Sequence, residues 1–481
     1  MTAATGSGLR MGVNAQPASP SVPIPVSPCR RRKITARLLA ESCPERAYLV
    51  GVDVPAKSGL WRLEDSLEEL AQLAQTAGIE LAGLTHQHLF HPNPATYIGS
   101  GKVEELRTEI ASAKARTVIF DDELSPGQQR TLEEVLGEGV KILDRTALIL
   151  DIFAQHAHSR EGQIQVELAQ YEYRLPRLTR LWTHLVRQAG ARSAGAVGGV
   201  GLRGPGETQL EADRRQISNR IAGLKKELQE VRRHRHLQYR NRKRNGLKTV
   251  TLVGYTNAGK SSLLNALSSA QHTYPENHPQ LPRPGPALVA DQLFTTLDPT
   301  TRRIRLPGGT QILVTDTVGF IKKLPHNLVA AFRATLEGIA EADLLLHVID
   351  VTHPKAEAQL QTVNEELSNL EVAGKPTLLV WNKIDRAAEI LKDQYGREDG
   401  LNYVSARTGQ GIPALLKQIE QLFKRDLTAI ELDIPYTEGS LKNRIFEQGA
   451  VEWFRYGPAG TRLRAYVPPH LFNASKPYRI D

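Results

Sequence analysis

The residues best suited to chemistry fall in one stretch. Residues 249–262 read Thr-Val-Thr-Leu-Val-Gly-Tyr-Thr-Asn-Ala-Gly-Lys-Ser-Ser. An apolar strand runs into Gly254, and Gly254–Ser261 fits G-x-x-x-x-G-K-[ST]. A helix signal, Ser262-Leu-Leu-Asn-Ala-Leu, follows. Strand, glycine turn and helix N-terminus, in that order, are what a phosphate-binding loop requires. Gly254 and Gly259 let the backbone through Tyr255, Thr256, Asn257 and Ala258 turn its N–H groups inward. Those donors and the positive end of the helix starting near Ser262 hold a β-phosphate. Lys260 can reach the β and γ oxygens, and the Ser261 hydroxyl can ligate Mg²⁺.

The partners such a loop needs follow in order. Phe294-Thr-Thr-Leu-Asp298 offers a switch threonine, Thr296, whose hydroxyl would join Mg²⁺ only while a γ-phosphate is present. Ile312-Leu-Val-Thr-Asp-Thr-Val-Gly319 is an apolar strand ending in D-x-x-G. Asp316 should hold Mg²⁺ through a water, and the Gly319 N–H can contact the γ-phosphate. Lys260, Thr296 and Gly319 are therefore the expected catalytic set. Asn382-Lys-Ile-Asp385 selects the base. The Asp385 carboxylate accepts from guanine N1–H and the 2-amino group, which adenine lacks, and an unpaired buried carboxylate is costly. Lys383 can lie over the base, Asn382 can tie this loop to the phosphate loop, and Ser405-Ala406 can offer a backbone N–H to guanine O6. The expected cofactors are GTP/GDP and Mg²⁺.

Two positions shape the rate. Phe320 follows Gly319, where small signalling GTPases carry a water-positioning glutamine, so intrinsic turnover should be slow unless a cation or partner supplies the missing group. Asn257 has a side-chain oxygen that could ligate K⁺; bracing the loop is the equal alternative.

Composition sets the context. The 481 residues suggest roughly three domains. A hydrophobic content of 40% with 23% charged residues suits a soluble globular chain. The net charge of +9 points to an acidic partner, nucleic acid first and an anionic membrane surface second. Only Cys29 and Cys43 are present, which excludes a disulfide framework and fits a reducing compartment. No run of 18 apolar residues exists, so no integral membrane association is expected.

The elements that position these residues divide the chain. Residues 1–45 read as a disordered basic tail with Arg30-Arg-Arg-Lys33; an organellar address is the minority reading. Residues 46–158 alternate strands (Ala47–Asp53, Ile79–Thr85, Thr117–Phe120, Val140–Leu143) with helices (Leu67–Ala77, Gly101–Ala113, Pro126–Leu136), a small parallel α/β domain. There Ser66 is expected to cap its helix, with Glu69 in the capping-box position. Gly99-Ser-Gly-Lys102 lacks the four-residue spacer of a phosphate loop and reads as a turn opening a helix. His156 and His158 have no third ligand at useful spacing for a metal.

Residues 159–247 read as an antiparallel helical hairpin. Ile164, Leu168, Tyr171, Leu175 and Leu178 form one apolar stripe; Leu210, Ile217, Ile221, Leu224, Leu228 and Val231 form the other. Between them, 191–206 carries six glycines with Arg192 and Arg203. From Arg214 to Lys248 there are thirteen Lys/Arg against two acids, Glu227 and Glu230, which favours phosphate neutralisation along RNA. Residues 248–428 form the GTPase domain. Residues 429–481 read as a strand, helix and hairpin, a small α+β appendage without a chemical constellation; partner contact and packing on the GTPase domain are both open. The fold class is α/β.

The order of these parts resembles the HflX family of ribosome-associated GTPases. The resemblance is carried by Gly254–Ser261, Phe294-Thr-Thr-Leu-Asp-Pro-Thr-Thr-Arg302, Asp316-Thr-Val-Gly-Phe-Ile321 and Phe332-Arg-Ala-Thr-Leu-Glu337. Upstream it rests on Tyr97-Ile-Gly-Ser-Gly-Lys102, Phe120-Asp-Asp-Glu-Leu-Ser-Pro126, Gln165-Val-Glu-Leu-Ala-Gln170 and Gly204-Pro-Gly-Glu-Thr-Gln-Leu-Glu211. It implies a cytoplasmic GTPase that binds the large ribosomal subunit and its rRNA and splits stalled or idle ribosomes, often in stress recovery. It also implies that 191–206 and the basic helix 208–246 reach toward the peptidyl-transferase region. A monomer is expected. The competing readings are a ribosome-assembly GTPase on a precursor subunit, and a regulatory switch with a protein or membrane partner. Residues 271–287 depart from the family as a Pro-rich insert, and no second Walker loop supports the ATP binding that the resemblance suggests for the N-terminal half.

Overall fold

A computed structural model describes residues 45–55, 61–137, 139–180, 205–244, 246–270, 293–294, 298–323, 338–370, 372, 374–387, 402–425 and 427–480. The tail, most of the glycine-rich connection, the insert 271–287, Thr296 and Phe332–Glu337 lie outside them. Residues Glu45–Asp481 form one compact unit.

The first sheet is four-stranded and parallel, in the order β2-β1-β3-β4. Its strands are β1 (Arg46–Asp53), β2 (Glu80–His88), β3 (Thr117–Phe120) and β4 (Lys141–Asp144). The crossovers are α1 (Leu63–Thr76), α2 (Ser100–Ala113) and α3 (Pro126–Leu136), and α4 (Arg145–His156) follows directly on β4. Helices cover both faces, so β3 is buried at every position and reads as a continuous apolar run. Gly99 precedes α2 as its N-cap, consistent with the turn reading. The expected cap of α1 is corrected. The helix begins four residues earlier than expected, and Asp65 accepts from the Arg62 N–H at 3.0 Å. Ser66 and Glu69 instead lie buried inside the helix, facing partners that are remote in sequence.

Next comes the hairpin, α5 (Arg160–Arg174) and α6 (Pro205–Arg244). Ile164 and Leu168 pack against Ile221, Leu224 and Leu228, the seam expected from the spacing. Electrostatics here differ from the count taken within α6 alone. Arg220 forks onto Glu167 at 2.8 and 3.0 Å, Lys225 pairs with Glu172 at 2.8 Å, and Arg235 pairs with Glu161 at 2.7 Å. Acids of α5 therefore meet several α6 cations across the seam. Arg215, Lys226, Arg233 and Arg240 remain exposed. Their spacings of 11, 7 and 7 residues put them within about 20° of one line down the helix at ~100° per residue.

The second sheet has six strands in the order β10-β9-β8-β5-β7-β6, with β6 antiparallel and the rest parallel. The strands are β5 (Lys248–Gly254), β6 (Thr300–Arg305), β7 (Gln311–Asp316), β8 (Leu344–Asp350), β9 (Thr377–Asn382) and β10 (Asn402–Tyr403). Around it lie α7 (Lys260–Ala270), α8 (Ala356–Asn369) and α9 (Ile412–Lys424). Ile412, Leu415, Leu416, Ile419 and Phe423 give α9 one apolar face, which packs on the core. A single hydrophobic cluster joins the two sheets: Leu70 and Leu73 of α1, Ile149 and Phe153 of α4, and Val166 of α5 meet Tyr255, Phe294, Phe320 and Leu345.

The C-terminal sheet is antiparallel, β11 (Thr428–Pro435), β13 (Gly460–Val467) and β12 (Ala450–Tyr456), with α10 (Gly439–Gln448) and α11 (Pro469–Ala474). It packs on the six-stranded unit: the Thr310 hydroxyl donates to the Gly449 carbonyl at 3.1 Å, and Lys424 lies 5.6 Å from the Tyr466 ring centre. Of the two roles expected for this appendage, packing on the GTPase domain is the one these contacts show.

Candidate functional site

The phosphate loop, the D-x-x-G segment, N-K-x-D and Ser405-Ala406 follow β5, β7, β9 and β10, so all four sit at the carboxyl edge of the parallel strands. Ligand crevices of open α/β sheets form at that edge. The loop needs its glycines. Gly259 sits at φ +90°, and a Cβ there would come within 2.3 Å of Asn382 Nδ2. A Cβ on Gly319 would come within 2.9 Å of Lys260 Nζ and 2.7 Å of Thr256 Cα. Asn257 turns the loop at φ +58° with its side chain exposed. The D-x-x-G segment is stitched onto the loop: the Thr256 N–H donates to Phe320 O at 2.8 Å, and the Phe320 N–H donates to Gly254 O at 3.1 Å.

Lys260 opens α7 and is buried. Its ammonium donates to the carbonyls of Gly254 at 3.2 Å and Tyr255 at 2.7 Å. Burial, reinforced by Lys383 and opposed by Asp316, pulls its pKa down to about 8. A desolvated ammonium facing a glycine cradle is a site that gains from an incoming polyanion. The Ser261 hydroxyl donates to Asp316 Oδ2 at 2.6 Å, so the two residues expected to hold Mg²⁺ are adjacent. Together with the cradle that a Cβ would fill, this donor set fits a magnesium-bound nucleotide.

The base-reading loops are braced by Asn382. Its Nδ2 donates to Ala258 O at 3.0 Å, the tie expected from sequence, and its Oδ1 accepts from the Ala406 N–H at 3.0 Å. The Ser405 N–H donates to Gln410 O. Both N–H groups proposed for guanine O6 are thus engaged within the protein in this arrangement. The Ser405 hydroxyl donates to Asp385 Oδ1 at 2.7 Å and orients that carboxylate. Lys383, at φ +67°, pairs with Asp350 Oδ2 at 2.7 Å. Asp350, at the end of β8, was not singled out by the sequence.

Two expected site residues face away from any nucleotide. The Phe320 ring is buried in the cluster between the sheets and cannot orient water. The Tyr255 backbone belongs to the loop, but its ring stacks on Trp61 with centres 5.8 Å apart. Its hydroxyl donates to Glu69 Oε1 at 2.5 Å and accepts from the Lys322 N–H at 2.9 Å. Glu69 also pairs with Arg145, which reaches Asp121 at 2.7 Å. Asp121 accepts from the Ser66 hydroxyl at 2.7 Å and from Lys323 at 2.5 Å. Adjacent acids at the end of a buried strand, Asp121-Asp122, were the available sequence signal for this network. On the switch-I side, Asp298 accepts from the N–H groups of His158 at 2.9 Å and Ser159 at 2.6 Å, and from the hydroxyl of Ser159, which caps α5 by accepting from the Gly162 N–H at 2.9 Å. The His156 ring contacts its own helix at Ile152 O, 2.8 Å away.

Three family models match in series: a GTP-binding GTPase N-terminal region over 64–154, a GTP-binding GTPase middle region over 156–242, and a 50S ribosome-binding GTPase over 249–383. The chain is 44% identical over 423 residues to the GTPase HflX of Caldanaerobacter subterraneus, covering 88% of this chain and 91% of that one. The chain belongs to the HflX family of GTPases. The HflX GTPase of Escherichia coli is 40% identical over 81% of this chain and 86% of its own. Among solved structures, a GTP-binding protein of Sulfolobus solfataricus with GDP is 23% identical, with a TM-score of 0.37, covering 78% of this chain and 98% of that one. As an HflX-family member the chain is a GTPase that binds GTP and GDP. No helix among the described residues is long and apolar enough to cross a membrane.

Proposed function

We propose that this GTPase binds the large ribosomal subunit in the cytoplasm and separates stalled or idle ribosomes into subunits, with GTP binding favouring separation and hydrolysis favouring release. The reading is carried by the exposed line Arg215, Lys226, Arg233 and Arg240 on α6. It extends ~37 Å, from 25 residues at about 1.5 Å each. A straight row of cations on a helix, with few aromatics beside it, suits phosphates of a folded RNA better than stacked bases. The match to a family described as 50S ribosome-binding supports the same partner.

At the nucleotide, Lys260 and the loop N–H groups hold the β- and γ-phosphates, and the Gly319 N–H reads the γ-phosphate. Thr296 and Ser261 would hold Mg²⁺ through their hydroxyls, and Asp316 would hold it through a water. When bound, the ion neutralises charge developing on the phosphoryl oxygens. Asp385, oriented by Ser405, reads guanine, and Asn382 keeps that loop in register with the phosphate loop. With Phe320 buried, the attacking water must be oriented by another group; a K⁺ held at Asn257 or a ribosomal element would supply it. Differential affinity of the GTP and GDP forms for the ribosome is what makes the cycle directional.

Sedimentation of assembled ribosomes with the protein and either GDP or a non-hydrolysable GTP analogue tests this. Free subunits with the analogue alone are expected. Binding to isolated large subunits with whole ribosomes left intact would favour an assembly role, and no co-sedimentation in either state would refute a ribosomal partner.

A further inference from the structure

The Tyr255 side chain reaches from the phosphate loop to the first sheet's unit, where its hydroxyl bonds to Glu69 of α1. Its hydroxyl lies between two structures that nucleotide chemistry must keep in register. On one side is the loop itself, whose Tyr255 carbonyl accepts from the Lys260 ammonium at 2.7 Å. On the other is the segment just beyond Gly319, reached through the Lys322 N–H at 2.9 Å. Glu69 of α1 fixes the hydroxyl by accepting its hydrogen bond at 2.5 Å, and Arg145, itself held by Asp121, pairs with Glu69 from behind. Asp121 and Asp122 also take Lys323, at 2.5 and 2.7 Å. A closed circuit results: loop, Tyr255, Glu69, Arg145, Asp121, Lys323 and back through Lys322 to Tyr255.

We propose that Tyr255 and Glu69 are positioning residues for GTP hydrolysis, setting the register between the phosphate loop and the D-x-x-G segment from outside the GTPase sheet. The hydroxyl must donate to the carboxylate, which leaves its lone pairs for the Lys322 N–H, so the direction of both bonds is fixed. Burial and the neighbouring Glu69 raise the Tyr255 pKa well above its ordinary value, which keeps the proton in place. Only Phe320 and Ile321 separate Gly319 from Lys322, so an anchor at Lys322 limits where the Gly319 N–H can sit. Hydrolysis depends on that N–H, whereas GDP holds only to the loop and the base-reading residues. Loss of the hydroxyl should therefore slow turnover and leave GDP binding alone. The inference rests on the assignment of Gly319 to the γ-phosphate.

The test uses the full chain and its own substrate. Tyr255→Phe keeps the ring and its stack on Trp61 and removes only the hydroxyl. Its kcat is expected to fall about tenfold, the loss of one buried positioning hydrogen bond, while the GDP Kd stays within about twofold. Glu69→Ala should show the same split where it folds; Tyr255→Phe decides alone where it does not. Trp61→Leu removes the stacking partner but spares the hydroxyl chain, and should leave kcat within about twofold. Unchanged kcat in Tyr255→Phe, an equal loss of kcat and GDP affinity, or an equal loss in Trp61→Leu would each overturn the inference. Gly319→Ala should abolish hydrolysis. If it does not, the γ-phosphate assignment fails and takes the inference with it; if it does while Tyr255→Phe turns over normally, the positioning role alone fails.

Discussion

Asn382 donates its amide N–H to the carbonyl of Ala258 across 124 residues of sequence, at 3.0 Å. One side chain thereby fixes the distance between the loop that holds phosphates and the loop that reads the base. Its other end accepts from Ala406, so three nucleotide-facing segments meet at one residue. Asn382→Ala should weaken GTP and GDP equally, by roughly 10- to 100-fold, as expected for losing two buried hydrogen bonds. Titration with a fluorescent guanine nucleotide checks this, and a loss confined to GTP would contradict it.

Lys260 makes nucleotide binding pH-dependent in a defined window. Burial, with Lys383 nearby, lowers its pKa from 10.5 to about 8, while Asp316 works against the shift. Bound phosphates restore the charged form. Below pH 8 the residue is charged in both states and affinity should be flat. From about 8 upward the free protein loses the proton and the complex keeps it, so affinity should fall by up to about tenfold per pH unit. Calorimetry of GDP binding at pH 7 and pH 9.5, in buffers of different ionisation enthalpy, should reveal proton uptake only at the higher pH.

His347 sets an acid limit on stability. It is buried in β8, and burial, followed by repulsion from Lys260, lowers its pKa from 6.5 to about 4. The unfolded chain therefore binds more protons between those values, and stability should fall as pH drops from 6.5 towards 4. The loss approaches about 3 kcal/mol at the bottom of the window. Urea unfolding at pH 7 and 4.5 measures it, and His347→Gln should flatten the dependence.

The sequence made the nucleotide residues legible because each motif is contiguous and each residue acts near its own strand end. It did not make the joint between the sheets legible. Glu69 and Arg145 are 76 residues apart, and Asp121 and Lys323 are 202 apart. Read locally, Glu69 fits a helix cap; only the folded chain shows that it faces Tyr255. The same limit affected α6. Counting charges along one helix made every cation look available for RNA, whereas Glu161, Glu167 and Glu172 on α5 face three of them.

That pairing splits the basic residues of α6 into two testable groups. Replacing Arg215, Lys226, Arg233 and Arg240 by Ala should weaken ribosome binding and lower the slope of log K against log salt by up to about 3–4, with little change in melting temperature. Replacing Arg220 and Lys225 should change that slope less and act mainly within the hairpin. Equal effects of the two sets on ribosome affinity would contradict the division.

Asp298 should act by holding the residue that caps α5. Its carboxylate accepts from the His158 and Ser159 N–H groups just ahead of α5 and from the Ser159 hydroxyl that caps the helix. Asp298→Ala should cost roughly 1–2 kcal/mol of stability through the lost hydrogen bonds, read by thermal or urea unfolding, and Asp298→Asn about half as much because one acceptor oxygen remains.

The foot of α5 is thus fastened to the residue two places beyond Thr296, and α6 lies along α5. At 40 residues, α6 is ~60 Å long at about 1.5 Å per residue. Movement of Asp298 would be passed to the foot of the hairpin. Glu161 at the foot pairs with Arg235, 30 residues from the Pro205 end of α6, an arm of ~45 Å at about 1.5 Å per residue; a tilt of about 10° at the foot would carry that end through roughly 8 Å, so a small shift at Asp298 would be enlarged where RNA would be met.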